Sequence, residues 1–178
     1  MHTTRLFRAP RIHLALVLGG LGLLGLAGPA SAKPALLAPQ VPIEPLRQKL
    51  KDSGGDPTQI LRPKKLADLG RFENGKRYKF VVLASGQLAV APLPADAQHN
   101  EYVHPILADG AAVQTAGGLR IERDGDKLKA VVVDQDSKAY CPTLESLGAA
   151  RAALVAVGVP AALIRLDDHP PGCAAKTE

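Results

Sequence analysis

The chain of 178 residues is 46% hydrophobic and 22% charged, with no Trp and only 3% aromatic residues. That composition suits one folded domain and excludes wholesale disorder, while the scarcity of aromatics leaves little for a base-stacking nucleic-acid platform. The formal charge of +5 overstates the basic character: of 22 basic residues three, Arg5, Arg8 and Arg11, sit in an N-terminal stretch without acids, leaving 19 against 17 acidic residues of alternating sign. No basic stripe follows, so no nucleic-acid partner is expected.

Residues 1–32 read as a secretory leader: the three arginines, an apolar core from Leu14 to Ala27, the helix breaker Pro29, and the cleavage site Ala30-Ser31-Ala32. The apolar run is shorter than a membrane span and is interrupted by glycine. No Cys follows it to accept a lipid, and no twin Arg precedes it. The expected mature chain begins at Lys33, is periplasmic or extracellular, and holds no further membrane span. In that oxidising setting the only two cysteines, Cys141 and Cys173, are expected to form a disulfide. One Cys pair without a nearby His pair makes no zinc site. No metal or cofactor site is expected.

Lys33 to Pro45 holds four prolines and is expected to be an extended, mobile linker. Ile43 to Ser53 predicts a short helix with Leu46 and Leu50 on one face, ended by Gly54-Gly55. Thr58 to Leu69 predicts a helical turn or two, broken at Arg62-Pro63. Tyr78–Leu83 and Gln87–Pro92 predict a hairpin about Ser85-Gly86. Leu93 to Asn100 predicts a loop, and Val103 to Ala108 a short apolar segment. Leu119–Arg123 and Leu128–Val133 predict a second hairpin, turning at Asp124-Gly125.

Pro142-Thr143 opens the expected C-terminal helix, capped by Thr143, with Leu144, Leu147, Leu154 and Val157 on one face and Gly158 and Pro160 as its stop. Leu163 to Leu166 is a final edge strand or extension. The expected fold class is α+β: a small antiparallel sheet of two hairpins packed by one C-terminal helix, with no β-α-β alternation. The expected organisation is leader 1–32, Pro-rich linker 33–71 with short helical segments, and α+β domain 72–178.

No phosphate-binding glycine loop, Gly-x-Ser-x-Gly or His-Glu-x-x-His is present. Asp124-Gly125-Asp126 lacks the remaining ligands of a calcium loop and reads as a turn. Asp134-Gln135-Asp136 places two carboxylates on one side of an extended chain; a solvated strand end is the simpler reading. His99 and His169 lie in polar loops. His104 lies in an apolar setting, as a hydrogen-bonded structural histidine or as a general base.

The run His104-Pro105-Ile106-Leu107-Ala108-Asp109-Gly110, then Val113, Ala116-Gly117, the second hairpin, and Ser137-Lys138-Ala139-Tyr140-Cys141-Pro142 before a helix resembles a recurring module. That module reads His-x-x-Leu-Ala-x-Gly, an Ala-Gly step, a hairpin and Ser-Gly-His-Tyr-x-Pro. It occurs in plant IQ-motif calmodulin-binding proteins and is similar to parts of uncharacterised bacterial proteins. The match spans about residues 76–160. Lys138 and Ala139 replace the Gly-His of the signature and no IQ segment is present, so calmodulin binding does not carry over. The resemblance implies a shared fold and brings His104, Ser137 and Tyr140 near one another. The expected function is that of an exported, non-catalytic module binding a protein or small ligand. The alternative is an exported hydrolytic enzyme or toxin-like effector using His104 as base with Ser137 or Tyr140.

Overall fold

The computed structural model describes residues 35–52, 59–92 and 103–168. The leader, Gly54-Gly55, the loop at 93–100 with His99, and the tail with His169 and Cys173 lie outside the described residues, as does the side chain of Leu50. The described residues belong to one compact unit.

Five strands make one mixed sheet: β1 (Arg77–Leu83), β2 (Leu88–Pro92), β3 (Val113–Asp124), β4 (Lys127–Asp134) and β5 (Ile164–Asp167), in the order β2-β1-β3-β4-β5. Both predicted hairpins form. Gly86 and Gly125 supply the positive φ, 84° and 57°, that their tight turns demand. The expectation of a purely antiparallel sheet without a β-α-β unit is corrected at the C-terminus, where β5 pairs with β4 in parallel. The reason lies in the helix between them, α3 (Leu147–Ala156). Ten helical residues run about 15 Å, which returns the chain to the end of the sheet where β4 began. Gly158, at φ 95°, ends the helix and a 3₁₀ turn (Ala161–Leu163) leads into β5.

The helix begins later than expected. Thr143 does cap, accepting the Ser146 N–H on Oγ1 at 3.2 Å, but it caps the turn 144–146 that precedes α3. Leu144 is therefore exposed, not part of the core face with Leu147, Leu154 and Val157. Thr115 of β3 ties this entrance to the sheet, its hydroxyl 2.9 Å from that of Ser146.

A single helix does not suffice to cover this sheet, because β1 is buried on both faces. Tyr78, Phe80 and Val82 join Leu119, Ile121, Val131 and Val133 beneath α3, with Leu69 and Phe72 sealing the end. Val81, Ala89, Val113 and Ala116 face the other way, against Leu46 of α1 (Ile43–Asp52) and Val103 and Leu107 of α2 (Val103–Leu107). Each fully enclosed side chain of this size contributes about 1.5–3 kcal/mol.

The described part of the Pro-rich segment is extended but docked. Leu37 exchanges both backbone hydrogen bonds with Val113, at 2.7 and 2.9 Å, and the Gln40 N–H donates to the Ala139 carbonyl at 2.8 Å. The cause is the length of β3. Its pairing with β4 starts only at Leu119, so residues 113–118 have β1 on one edge and no strand on the other. Polar groups left there need partners, and Leu37 supplies two.

Gly117 and Gly118 lie in that half of β3. A Cβ on Gly117 would stand 1.8 Å from the Asp134 carbonyl oxygen, and one on Gly118 2.6 Å from an Asp134 carboxylate oxygen. Gly117→Ala is expected to destabilise the protein by about 3 kcal/mol or more, because the atom it meets is backbone. Gly148→Ala, where the added methyl meets nothing within 4 Å, is expected to stabilise α3 by about 0.5–1 kcal/mol. Urea denaturation of the two variants checks both signs.

Candidate functional site

The open half of β3 organises a polar cluster on the α1/α2 side of the sheet. Arg77 and Lys79 alternate with Tyr78 and Phe80 along β1, so they point to the face opposite α3. Beyond β4 the chain turns across Gly117 and Gly118, bringing Asp134 and Asp136 against these two cations. Asp134 Oδ1 accepts the backbone N–H groups of Gly118 (2.8 Å) and Asp136 (2.9 Å), and its Oδ2 accepts Arg77 Nη2 at 2.6 Å. Asp136 Oδ2 accepts Arg77 Nη2 at 3.1 Å and Lys79 Nζ at 2.8 Å; Lys79 also donates to the Asp136 carbonyl at 3.1 Å. The expected solvated strand end is thus a pair of carboxylates that binds cations, and the cations are the protein's own.

The cluster is graded by depth. The side chains of Arg77 and Asp136 are 41% and 32% exposed, and that of Lys79 only 1%. Burial lowers the Lys79 pKa, against the opposing pull of the Asp136 hydrogen bond and charge. Burial also works against the Asp136 carboxylate, but Lys79 and Arg77 outweigh it and hold its pKa below the usual value.

His104 is buried as fully as Lys79, on α2, 1% exposed. Its Nε2 stands 3.0 Å from the Gly117 carbonyl oxygen. A carbonyl only accepts, so Nε2 carries the proton. Nδ1 has no hydrogen-bond partner among the described residues. Burial, followed by the positive charge of Lys79, drives the imidazole pKa down to about 4; the Gly117 bond and the two aspartates oppose this. Tyr140, nominated with it, is also buried and donates its hydroxyl to the Ala111 carbonyl at 2.7 Å. Burial raises its pKa to about 12. Ser137 is buried as well, and its backbone carbonyl accepts the Cys141 N–H at 2.9 Å in a turn that holds Cys141 at φ 46°. His104 and Tyr140 thus each bond to a backbone carbonyl.

Cys141 is not a free thiol; Cys173 lies outside the described residues. Among the described residues no group of three or more His, Cys, Asp or Glu could hold a metal ion, and no helix is long and apolar enough to cross a membrane. Sequence reasoning missed Arg77 and Lys79. The available signal was a lysine second in Tyr78–Leu83, an otherwise apolar strand that is buried on both faces. Comparison of the chain with protein-family models, with curated proteins and with solved structures finds no match.

The unfolded imidazole titrates near 6.5 and the folded one at about 4, so over that window the unfolded chain binds more protons and stability falls as the pH is lowered. The contribution is full above pH 6.5 and is lost progressively toward pH 4, by about 3 kcal/mol. Asp136, depressed in the folded state, adds a further loss as pH drops below its ordinary 3.8. Lys79, also depressed, has its effect in the alkaline range. Urea midpoints from pH 7 to pH 4.5 are expected to fall in the wild type. His104→Leu is expected to cost about 1–3 kcal/mol at pH 7, by stranding the Gly117 carbonyl, and to flatten the pH slope. A wild-type midpoint that stays constant over this range contradicts the burial of a neutral His104.

Proposed function

We propose that this chain is an exported, non-catalytic α+β module of the bacterial envelope or extracellular space, which acts by binding a protein or a small ligand. One observation carries the reading: His104 and Tyr140 are buried and each hydrogen-bonds a backbone carbonyl, and burial moves their pKa values down to about 4 and up to about 12. A general base or acid is most effective with a pKa near the working pH. These two groups are displaced in opposite directions from neutrality, and each is spent on a backbone carbonyl. Such an arrangement suits a buried hydrogen-bond network better than a catalytic dyad. The module resembled by residues 76–160 would, on this reading, share the scaffold and not a reaction.

Export is supported by the leader pattern, in which Lys33 follows Ala30-Ser31-Ala32. In that compartment Cys141 would pair with Cys173. The bridge would close a loop of about 33 residues and contribute about 3–4 kcal/mol by loop entropy, tying the tail to the turn before α3.

Two measurements test the proposal. Incubation of the protein with ester, amide and phosphoester substrates is expected to give no turnover that depends on His104. Activity abolished by His104→Gln in a variant that keeps its circular dichroism spectrum would overturn the non-catalytic reading. Mass spectrometry of envelope-derived protein is expected to find Lys33 at the N-terminus and the mass of the disulfide form. An intact leader on a folded exported chain, or two free thiols on denatured unreduced protein, would overturn the corresponding part.

A further inference from the structure

Between Leu61 and Arg71 the chain carries four basic residues, Arg62, Lys64, Lys65 and Arg71, against one acid, Asp68. That local surplus of three exceeds the surplus of two carried by everything after the leader, 19 basic against 17 acidic residues. The segment is firmly placed. Leu61 exchanges both backbone hydrogen bonds with Val90 of β2 at 2.8 Å, Pro63 is buried, and the 3₁₀ helix Leu66–Arg71 sends Leu69 into the core beneath α3. Leu61, Arg62, Pro63, Lys64, Asp68 and Arg71 line a groove of about 170 Å³ that opens to solvent.

The basic charge of this groove exceeds what its one acid can balance. Elsewhere Arg47, Lys76, Arg120, Lys129 and Arg165 each hold a carboxylate. Arg62, Lys64 and Arg71 stand in none of these pairs; the Lys64 and Lys65 backbone N–H groups, and after them the charges of Lys65 and Arg71, hold the Asp68 carboxyl below the usual value. Asp68, the one acid in the wall, turns to the backbone: its Oδ2 accepts the N–H groups of Lys64 at 2.8 Å and Lys65 at 3.2 Å. Three cations and one committed carboxylate leave a net charge of two, which matches a phosphate dianion. Guanidinium groups bind phosphate bidentately and an ammonium adds a point charge. Leu61 and Pro63 supply an apolar wall for the carbon attached to such a group.

We propose that this groove binds a phosphate-type oxyanion, free or as the headgroup of an anionic lipid, through Arg62, Lys64 and Arg71. The site lies by β2 and the α3 side of the sheet, so it is independent of the His104 cluster and of whether that cluster catalyses anything.

The test uses the intact protein with two probes at low salt: inorganic phosphate by isothermal titration, and vesicles of phosphatidylglycerol, against phosphatidylcholine, by co-sedimentation. Saturable binding to at least one probe is expected. Arg62→Gln with Arg71→Gln is expected to weaken it by about tenfold or more. Lys127→Gln with Lys129→Gln, which removes the same charge at the β3–β4 turn, is expected to change it by less than about twofold. Binding of phosphate itself assigns a free oxyanion; binding of the anionic vesicles alone assigns the headgroup. No saturable binding to either probe, or equal losses in the two double variants, overturns the site. The groove variant is expected to melt with the wild type; should it not fold, Lys64→Gln measured alone replaces it under the same criteria.

Discussion

Asp134 stands where β4 stops following β3, and its carboxylate does there the work of a missing strand. It accepts the Gly118 N–H, fixes the following turn through the Asp136 N–H, and holds the Arg77 guanidinium. Hydrogen bonds to a charged group contribute about 1.5–3 kcal/mol each, and this acceptor is only 15% exposed. The approach requires that β3 carry no side chain at 117 or 118. Once it is made, Asp136 reaches Lys79, and His104 closes on the Gly117 carbonyl. The position of α2 over the sheet therefore depends on a carboxylate and two missing methyl groups.

The same cluster explains why polar residues sit in a layer that could have been apolar. Replacing a buried ion pair by hydrophobic residues is often neutral or stabilising, so Lys79 is not required for burial alone. Its stem packs as a hydrocarbon while its ammonium caps the Asp136 carbonyl and carboxylate together. That bond fixes the register of the segment after β4 against β1. The positive charge also keeps His104 neutral, and a neutral imidazole with Nε2 protonated is the form that donates to Gly117.

Much of this fold is legible in the residues. Val-rich and aromatic runs about Ser85-Gly86 and Asp124-Gly125 announce two hairpins, and Gly158 with Pro160 announces the end of α3. Other features are hidden because they depend on partners far along the chain. Leu144 carries the right spacing for the helix face, yet the turn capped by Thr143 displaces it. Nothing in Ile164–Asp167 distinguishes parallel from antiparallel pairing; the length of α3 decides it. The three nominated residues His104, Ser137 and Tyr140 are visible as polar groups in apolar surroundings. The partners of His104 and Tyr140 are backbone carbonyls, which leave no mark in a sequence. Asp134 and Asp136 look solvated until Arg77 and Lys79, 57 residues earlier, are placed beside them.

That separation bears on the order in which the chain assembles. The β3–β4 hairpin is local and can form alone, and with it the carboxylate of Asp134 can reach Gly118. Strand β1 must then enter across a long loop, at an entropic cost that grows only slowly with its length. Until it arrives, Asp134 and Asp136, lying across the open half of β3, are without their cations. An open strand edge is a template for pairing with another chain, and charge beside it is a known deterrent. Arg77 and Lys79 thus quench in the finished molecule a repulsion that guards the unfinished one, during the interval when an edge-to-edge encounter would lead to aggregates.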